Sequence, residues 1–396
     1  MSVKSHAHGI LCAALLLSCA VSAADAARAP ANLLANPGFE QSRPGHPWMP
    51  AAWDTSESGL PTVFFGRDTF LVHGGNYAVT VANVSTVWPM AHNWSQALKV
   101  DRSSWGKDAV LSVWTRSNGL QGRGYILLQA YRDTLTRAAL DHGVSRDSAI
   151  RILNIKRIDD PAYPLGWKRQ YFSESETGWV RREVRVYLAP LTSAIFVRCG
   201  MTGTGQVIFD DASLSIETAR PADPLPLNTN LLSDPSFEEG GNAWEYSAPP
   251  WEGMHVDVDT TTAHTGRACG MATGGNAGWV KGRAGFCQVI VNRNLGGKQI
   301  RLSGYVRTDS LKGIAGIRLY AHTLHGEEHM PPPQQFSDNT DWTLTTLDMD
   351  LPKDTYEVWA WFQYNAPVPG KVYYDDCSLE VIGPATGKYK SPPLTP

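Results

Sequence analysis

The chain has 396 residues, with Lys and Arg at 35 against Asp and Glu at 38, a net charge of −3. Charged residues make up only 18%, and that near balance excludes a nucleic-acid binder, which carries a basic excess. Gly (36), Pro (26), Trp (14) and Tyr (14) are abundant and 42% of residues are hydrophobic, the composition of a turn-rich all-β protein with real cores and not of a disordered chain.

The first segment reads as an address. Ile10 to Ala23 are apolar and small, and Ala-x-Ala patterns end at Ala23 or Ala26, so residues 1–26 are expected to be a secretory signal peptide. Leu16-Leu17-Ser18-Cys19 is an imperfect lipobox, which keeps a lipid anchor at Cys19 as a second reading. Either way the mature chain is expected outside the cytoplasm, secreted or periplasmic, or as an outer-surface lipoprotein. No apolar run reaches the ~18–20 residues of a membrane span. Beyond the leader, Cys199, Cys269, Cys287 and Cys377 are too few for a disulfide scaffold and wrongly spaced for zinc. Cys269 and Cys287 flank neighbouring strands and form the expected disulfide, while Cys199 and Cys377 read as buried thiols.

The rest of the chain is a duplication. Asn32-Leu33-Leu34-Ala35-Asn36-Pro37-Gly38-Phe39-Glu40 returns as Asn230-Leu231-Leu232-Ser233-Asp234-Pro235-Ser236-Phe237-Glu238. Asp68-Thr69 with His73 and Gly75 returns as Asp259-Thr260 with His264 and Gly266. Leu111-Ser112 and Arg116 return as Leu302-Ser303 and Arg307, and Phe209-Asp210-Asp211-Ala212-Ser213-Leu214 as Tyr374-Asp375-Asp376-Cys377-Ser378-Leu379. Matches in one order across most of each half mark tandem copies. They divide the chain into modules at 31–217 and 229–383, a Pro-rich linker at 218–228 (Pro221, Pro224, Pro226) and a disordered tail at 384–396. Copy one is longer between Tyr131 and Trp179 than copy two between His322 and Trp342. This insertion near 132–178 includes a possible short helix at Ser148 to Ile158 and reads as a decorated strand connection.

Within each copy the period is two. Ile300, Leu302, Gly304 and Val306 fall on one side of a segment and Arg301, Ser303, Tyr305 and Arg307 on the other, a strand with one buried face. Many such strands between Gly, Pro and Asn turns predict two antiparallel β-sandwiches.

These signatures resemble the carbohydrate-binding modules of the CenC-like group, families 4, 9 and 22. The shared landmarks are the opening "NLL.NPGFE", the "H.G" before a strand, a "Q.(L/V).V" strand and the closing "(F/Y)DD.SL". Gln96-Ala97-Leu98-Lys99-Val100 and Gln288-Val289-Ile290-Val291 supply the third. The resemblance implies a jelly-roll, galactose-binding-like fold, a structural calcium ion, and a polysaccharide or cell-surface glycan on the concave sheet. Such modules usually accompany a glycosidase domain, and residues 1–396 leave no stretch over for one.

The calcium ligands that the resemblance implies are Glu40 and Asp210 with Asp68 or its carbonyl in copy one, and Glu238, Asp375 and Asp259 at the equivalent places in copy two. Parity adds that Asp210 points inward with Ala212 and Leu214, where a carboxylate is costly unless bonded or metal-bound. The same acids could instead cap turns and accept backbone hydrogen bonds.

A sugar-binding face needs rings to stack on C–H faces and Arg, amide or His groups to bond hydroxyls. The non-core parity of copy one carries Trp114, Arg116, Gln129, Tyr131, Phe196 and Arg198. That of copy two carries Tyr305, Arg307, Tyr320 and His322, then Trp359, Trp361 and Gln363, the richer set. The competing role for these rings is to support loops or a contact between the modules.

His325-Gly326-Glu327-Glu328-His329 matches an inverzincin pattern, but the Gly within it and the prolines after it predict a loop. No catalytic residue is assigned. The reading is a non-catalytic glycan binder. The alternatives are a glycoside hydrolase or polysaccharide lyase, its site in the insertion of copy one, and a cell-surface scaffold.

Overall fold

The structure, a computed structural model, describes residues 31–56, 60–86, 91–131, 164–173, 178–190, 192–247, 254–274, 284–323, 328–365 and 369–387. The leader with Cys19, the helix expected at Ser148 to Ile158 and the end of the tail lie outside the described residues. The first half runs β1 (Ser42–Arg43), β2 (His46–Pro50), β3 (Asp54–Thr55), β4 (Val63–Asp68), β5 (Ala78–Asn83), β6 (His92–Lys99), β7 (Lys107–Tyr131), β8 (Pro164–Phe172), β9 (Val180–Tyr187) and β10 (Ala194–Thr218). The second runs β11 (Glu245–Ser247), β12 (His255–Asp259), β13 (Cys269–Gly274), β14 (Ala284–Val291), β15 (Lys298–Asp309), β16 (Ile314–Thr323), β17 (Glu328–His329), β18 (Gln334–Phe336), β19 (Thr340–Asp350), β20 (Thr355–Asn365) and β21 (Gly370–Pro384). Ladders between these strands are antiparallel, and the chain is all-β as the alternation predicts.

In the first half β7 and β10 each serve two sheets. Ala194 to Thr204 pairs with Tyr131 to Gln121, and Gln206 to Thr218 pairs with Asn118 to Lys107. A front sheet therefore runs β3-β6-β10-β7-β8 and a back sheet β4-β5-β10-β7-β9. The strands bend together where Gly122 (φ 126°) faces Gly203 (φ 86°). A Cβ on either would collide with the opposite backbone, so only glycine passes this corner. In the second half the sheets are separate: a front sheet β11-β14-β20-β16-β17, with β18 also on β16, and a back sheet β12-β13-β21-β15-β19.

Each core lies between its own two sheets. Ile126, Leu128, Val197, Leu111, Val113 and Val207 fill the first, and Ile300, Leu302, Val306, Leu319, Val358 and Phe362 the second. At about 1.5–3 kcal/mol for each buried side chain, these faces supply the folding drive. The duplication is visible in the backbone. Asn36 and Phe39 have φ 50° and 58°, and their counterparts Asp234 and Phe237 have 47° and 60°. Trp53 Nε1 donates to the Asn36 carbonyl at 3.2 Å and Trp244 Nε1 to that of Asp234 at 2.8 Å. Gln96 and Gln288 each bond both backbone groups of one opening-loop residue, Ala35 and Ser233.

The expected disulfide is not formed. Cys269 and Cys287 are free and buried, as are Cys199 and Cys377. The reason is topological: β13 and β14 are consecutive in sequence but lie in opposite sheets. The Cys269 thiol instead donates to the Thr262 carbonyl at 2.9 Å.

The insertion of copy one is more than decoration. Its end forms β8, which adds to the front sheet along Gly124 to Tyr131 of β7. From Asn32 onward both sandwiches lie in one compact unit. Among the described residues no helix is long and apolar enough to cross a membrane.

Candidate functional site

Alternation along β20 buries Val358, Ala360 and Phe362 in the core and turns Glu357, Trp359, Trp361 and Gln363 outward. Register then sets their neighbours. Trp361 lies between Cys287 of β14 and Arg318 of β16, and Trp359 between Val289 and Tyr320. His322 lies opposite Glu357, and the two side chains approach to 3.2 Å. The indole N–H of Trp359 also donates to Glu357, whose side chain is fully buried. The rings of Trp359 and Trp361 stand 6.3 Å apart at 30° and are half-buried. Gln363 is 2% exposed, yet neither its amide oxygen nor its nitrogen has a partner. The expected residues Tyr320, His322, Trp359, Trp361 and Gln363 thus share one face.

Copy one contributes the outer face of its own front sheet. Tyr131 and Phe196 pack edge-to-face at 5.1 Å, with the Arg198 guanidinium 5.7 Å from the Phe196 ring. Gln129 lies between Phe196 and Trp167 of β8. Burial raises the Tyr131 phenol above the ordinary tyrosine value.

The two front faces meet at β8. Trp167 contacts Trp359 across the seam, ring centroids 5.8 Å apart at 56°, within a cluster holding Tyr125, Leu127, Tyr171 and Val289. Arg169 pairs with Glu245 of β11 at 2.7 Å, and the same carboxylate accepts from Tyr171 at 2.7 Å. Arg123 donates to the Trp244 carbonyl at 2.6 Å and lies over the rings of Tyr171 and Tyr246. Part of the aromatic set therefore does join the modules. Sequence reasoning misses Trp167 and Arg169 because they fall in the insertion. Their signal is legible all the same: Trp167, Arg169 and Tyr171 alternate with Lys168, Gln170 and Phe172.

Four expected residues belong elsewhere. Trp114, Arg116, Tyr305 and Arg307 lie on the back sheets, paired with β9 and β10 or with β21 and β19. Parity separates core from outside but does not say which of two sheets a strand segment joins. Trp114 stacks on His73 at 3.9 Å and Tyr305 on His264 at 3.6 Å. Each His bonds the second aspartate of its copy, Asp211 or Asp376, at 2.7 Å. These rings hold the loop before β5 or β13, and a sugar has no room between them.

The expected calcium ligands are occupied by N–H donors. Asp210 accepts from His73 N (2.8 Å), Gly74 N (3.0 Å) and Asp211 N (2.7 Å), and Asp375 repeats this with His264, Thr265 and Asp376. Glu40 accepts from Asn76 and Tyr77, and Glu238 from Arg267 and Ala268. Asp68 and Asp259 cap their own turns. Burial raises the carboxyls of Asp210 and Asp375 against the lowering pull of those bonds. A hard cation requires oxygen atoms turned toward one point. Among the described residues no three acidic, His or Cys side chains converge in this way. As placed, the expected ligands accept these backbone N–H groups as turn caps.

No family model matches the chain, and no curated protein matches it. Solved structures do. The N-terminal CBM22-1–CBM22-2 tandem domain of Xyn10C from Paenibacillus barcinonensis aligns over 90% of this chain and 100% of its own, at 12% identity and a TM-score of 0.30. The structure of TmCBM61 in complex with β-1,4-galactotriose aligns over 39% and 99%, at 16% identity and a TM-score of 0.30. The C-terminal family 22 module of Xyn10B from Clostridium thermocellum aligns over 42% and 99%, at 16% identity and a TM-score of 0.30. These are carbohydrate-binding modules of the kind that the repeated motifs resemble. Likeness of this degree decides nothing about function.

Proposed function

We propose that the protein binds a polysaccharide without cleaving it, on the joined front faces of its two sandwiches. One observation carries the reading: the half-buried rings of Trp359 and Trp361 stand 6.3 Å apart on a face that also carries Arg318 and Tyr320, with the buried Trp167 ring 5.8 Å from Trp359 and the buried amide of Gln363 without a partner. Stacked rings beside a desolvated amide match the two surfaces of a pyranose, its C–H face and its hydroxyl rim. A buried amide without partners costs about 1–3 kcal/mol, and a sugar hydroxyl would satisfy it. The apolar stretch Ile10 to Ala23 supports action outside the cytoplasm after removal of the leader.

A glycan array probed with the full chain tests this. Trp361→Ala is expected to lose binding by about tenfold or more, about 1.4 kcal/mol. Trp114→Ala, which alters the back sheet, is expected to retain it. Unchanged binding by Trp361→Ala and Trp359→Ala on every glycan that the parent chain holds would sink the reading. The aromatic contact at the seam favours a second role for Trp167 and Trp359, joining the modules; that role predicts loss of stability, and not of binding alone, on their removal.

A further inference from the structure

Beside the ring platform, the seam between the sandwiches opens into a cavity of about 310 Å³. Trp167 and Val289 line both the cavity and the aromatic cluster, so the two are continuous. The remaining lining mixes apolar Val186, Pro221, Ala222 and Val291 with unevenly charged side chains. Lys168, Arg185, Arg220 and Arg293 face Asp108 and Asp223. Arg185 is committed: it reaches Asp108 at 3.5 Å and Glu217 at 3.0 Å. Asp108 also accepts the backbone N–H of Arg220 at 3.0 Å. The side chains of Lys168, Arg220 and Arg293 are exposed and enter none of the ion pairs found among the described residues. Arg293 is held in place, its guanidinium 4.5 Å from the Tyr187 ring and donating to the Arg220 carbonyl. Three cations that enter no ion pair among the described residues, against the one carboxylate of Asp223 that likewise enters none, leave local positive charge on a chain whose net charge is −3.

We propose that this cavity is a subsite for the anionic groups of an acidic glycan, uronate carboxylates or sulfate esters. The inference rests on the function proposed above: a chain stacked on Trp361 and Trp359 that continues past Trp167 brings its next residues to Lys168, Arg220 and Arg293. Guanidinium groups suit both anions, because their paired N–H donors match carboxylate and sulfate oxygens. The attraction is local, since overall charge repels polyanions, and exposed cations make it sensitive to salt.

The test is affinity electrophoresis and calorimetry of the full chain on matched polymers: polygalacturonate against its methyl ester, glucuronoxylan against arabinoxylan, and carrageenan against agarose. The acidic member of at least one pair is expected to bind about tenfold more tightly, with the preference fading in high salt. A uronate preference alone or a sulfate preference alone identifies the anion. Lys168→Gln, an exposed position, should lower the affinity for the acidic polymer toward that for the neutral one with unchanged melting, and Arg293→Gln should lower it likewise. Trp361→Ala should weaken both members of the pair. Equal binding of acidic and neutral polymers, or a preference untouched by Lys168→Gln and Arg293→Gln, overturns the subsite and leaves the glycan reading standing. Binding to no polymer in the panel overturns both.

Discussion

At the scale of single residues, each copy is fastened by one amide. Gln288 donates to and accepts from the backbone of Ser233, so its side chain extends the front sheet by one residue into the opening loop. That loop carries the left-handed Asp234 and Phe237, and the fully buried Phe237 and Trp244 stack at 4.9 Å beneath it. Gln288→Ala leaves two backbone groups without partners at a site where Gln288 itself is 6% exposed. The expected loss is about 1–3 kcal/mol, read as a lower melting temperature. The glutamine of "Q.(L/V).V" is visible in the sequence; its role is not, because its partner lies 55 residues away. The acid positions gave the opposite outcome. Inward parity correctly places Asp210 and Asp375, both fully buried, and leaves open what would satisfy them. Backbone N–H groups do so, through left-handed Asp211 (φ 44°) and Asp376 (φ 45°), which turn their own amides back onto the preceding carboxylate. Chelation by EDTA is therefore expected to leave the melting temperature unchanged. A drop of several degrees that calcium restores would show that carbonyls, and not the acids alone, build a cation site there.

At the scale of elements, the informative strand is β8. Periodicity predicts strands well because a period of two is set by the pleat alone. It cannot assign β7 and β10 to sheets, since each passes from one sheet to the other near Gly122 and Gly203, and on β7 a register shift there moves the core positions from Ala109, Leu111 and Val113 to Ile126, Leu128 and Ala130. Trp114 and Gln129 therefore lie on one strand, both off the core, but face opposite sides of the molecule. A similar change of sheet, between β13 and β14, defeats the disulfide, whose pairing assumes that successive strands are neighbours. β8 escapes sequence reasoning because an insertion with no counterpart in copy two offers no repeat to compare. Its Arg169 is the main polar tie of the seam: the Arg169 and Glu245 side chains are each 21% exposed, and Glu245 also takes the Tyr171 hydroxyl. Arg169→Ala strands a partly buried carboxylate, a change that costs about 3 kcal/mol when the site is dry and less to the extent that water enters. In calorimetry the parent chain is expected to melt with its sandwiches coupled, and Arg169→Ala to separate them into two transitions. A single endotherm in both would mean that the apolar contact of Trp167 with Trp359 suffices.

At the scale of the whole molecule, phenols report how the sandwiches are closed. Burial raises Tyr125, Tyr171, Tyr356 and Tyr374 above the ordinary tyrosine value and lifts Tyr246 to about 12. They sample both halves: Tyr125 and Tyr171 on the copy-one side of the seam, Tyr246 on β11, Tyr356 at the start of β20, and Tyr374 in the second core, where its hydroxyl donates to Gln363's carbonyl at 2.6 Å. A phenol whose folded-state pKa lies above its unfolded value holds its proton more tightly in the fold. The stability that this contributes is complete below the ordinary value of about 10 and is lost as pH rises through the folded values. Alkaline titration followed by ultraviolet absorbance should therefore show two phases. The buried group ionises in the later phase, above the ordinary value of about 10, together with cooperative loss of the near-ultraviolet circular dichroism. Ionisation of all 14 tyrosines in one early phase, with the fold intact, would show that water reaches the seam and the second core alike.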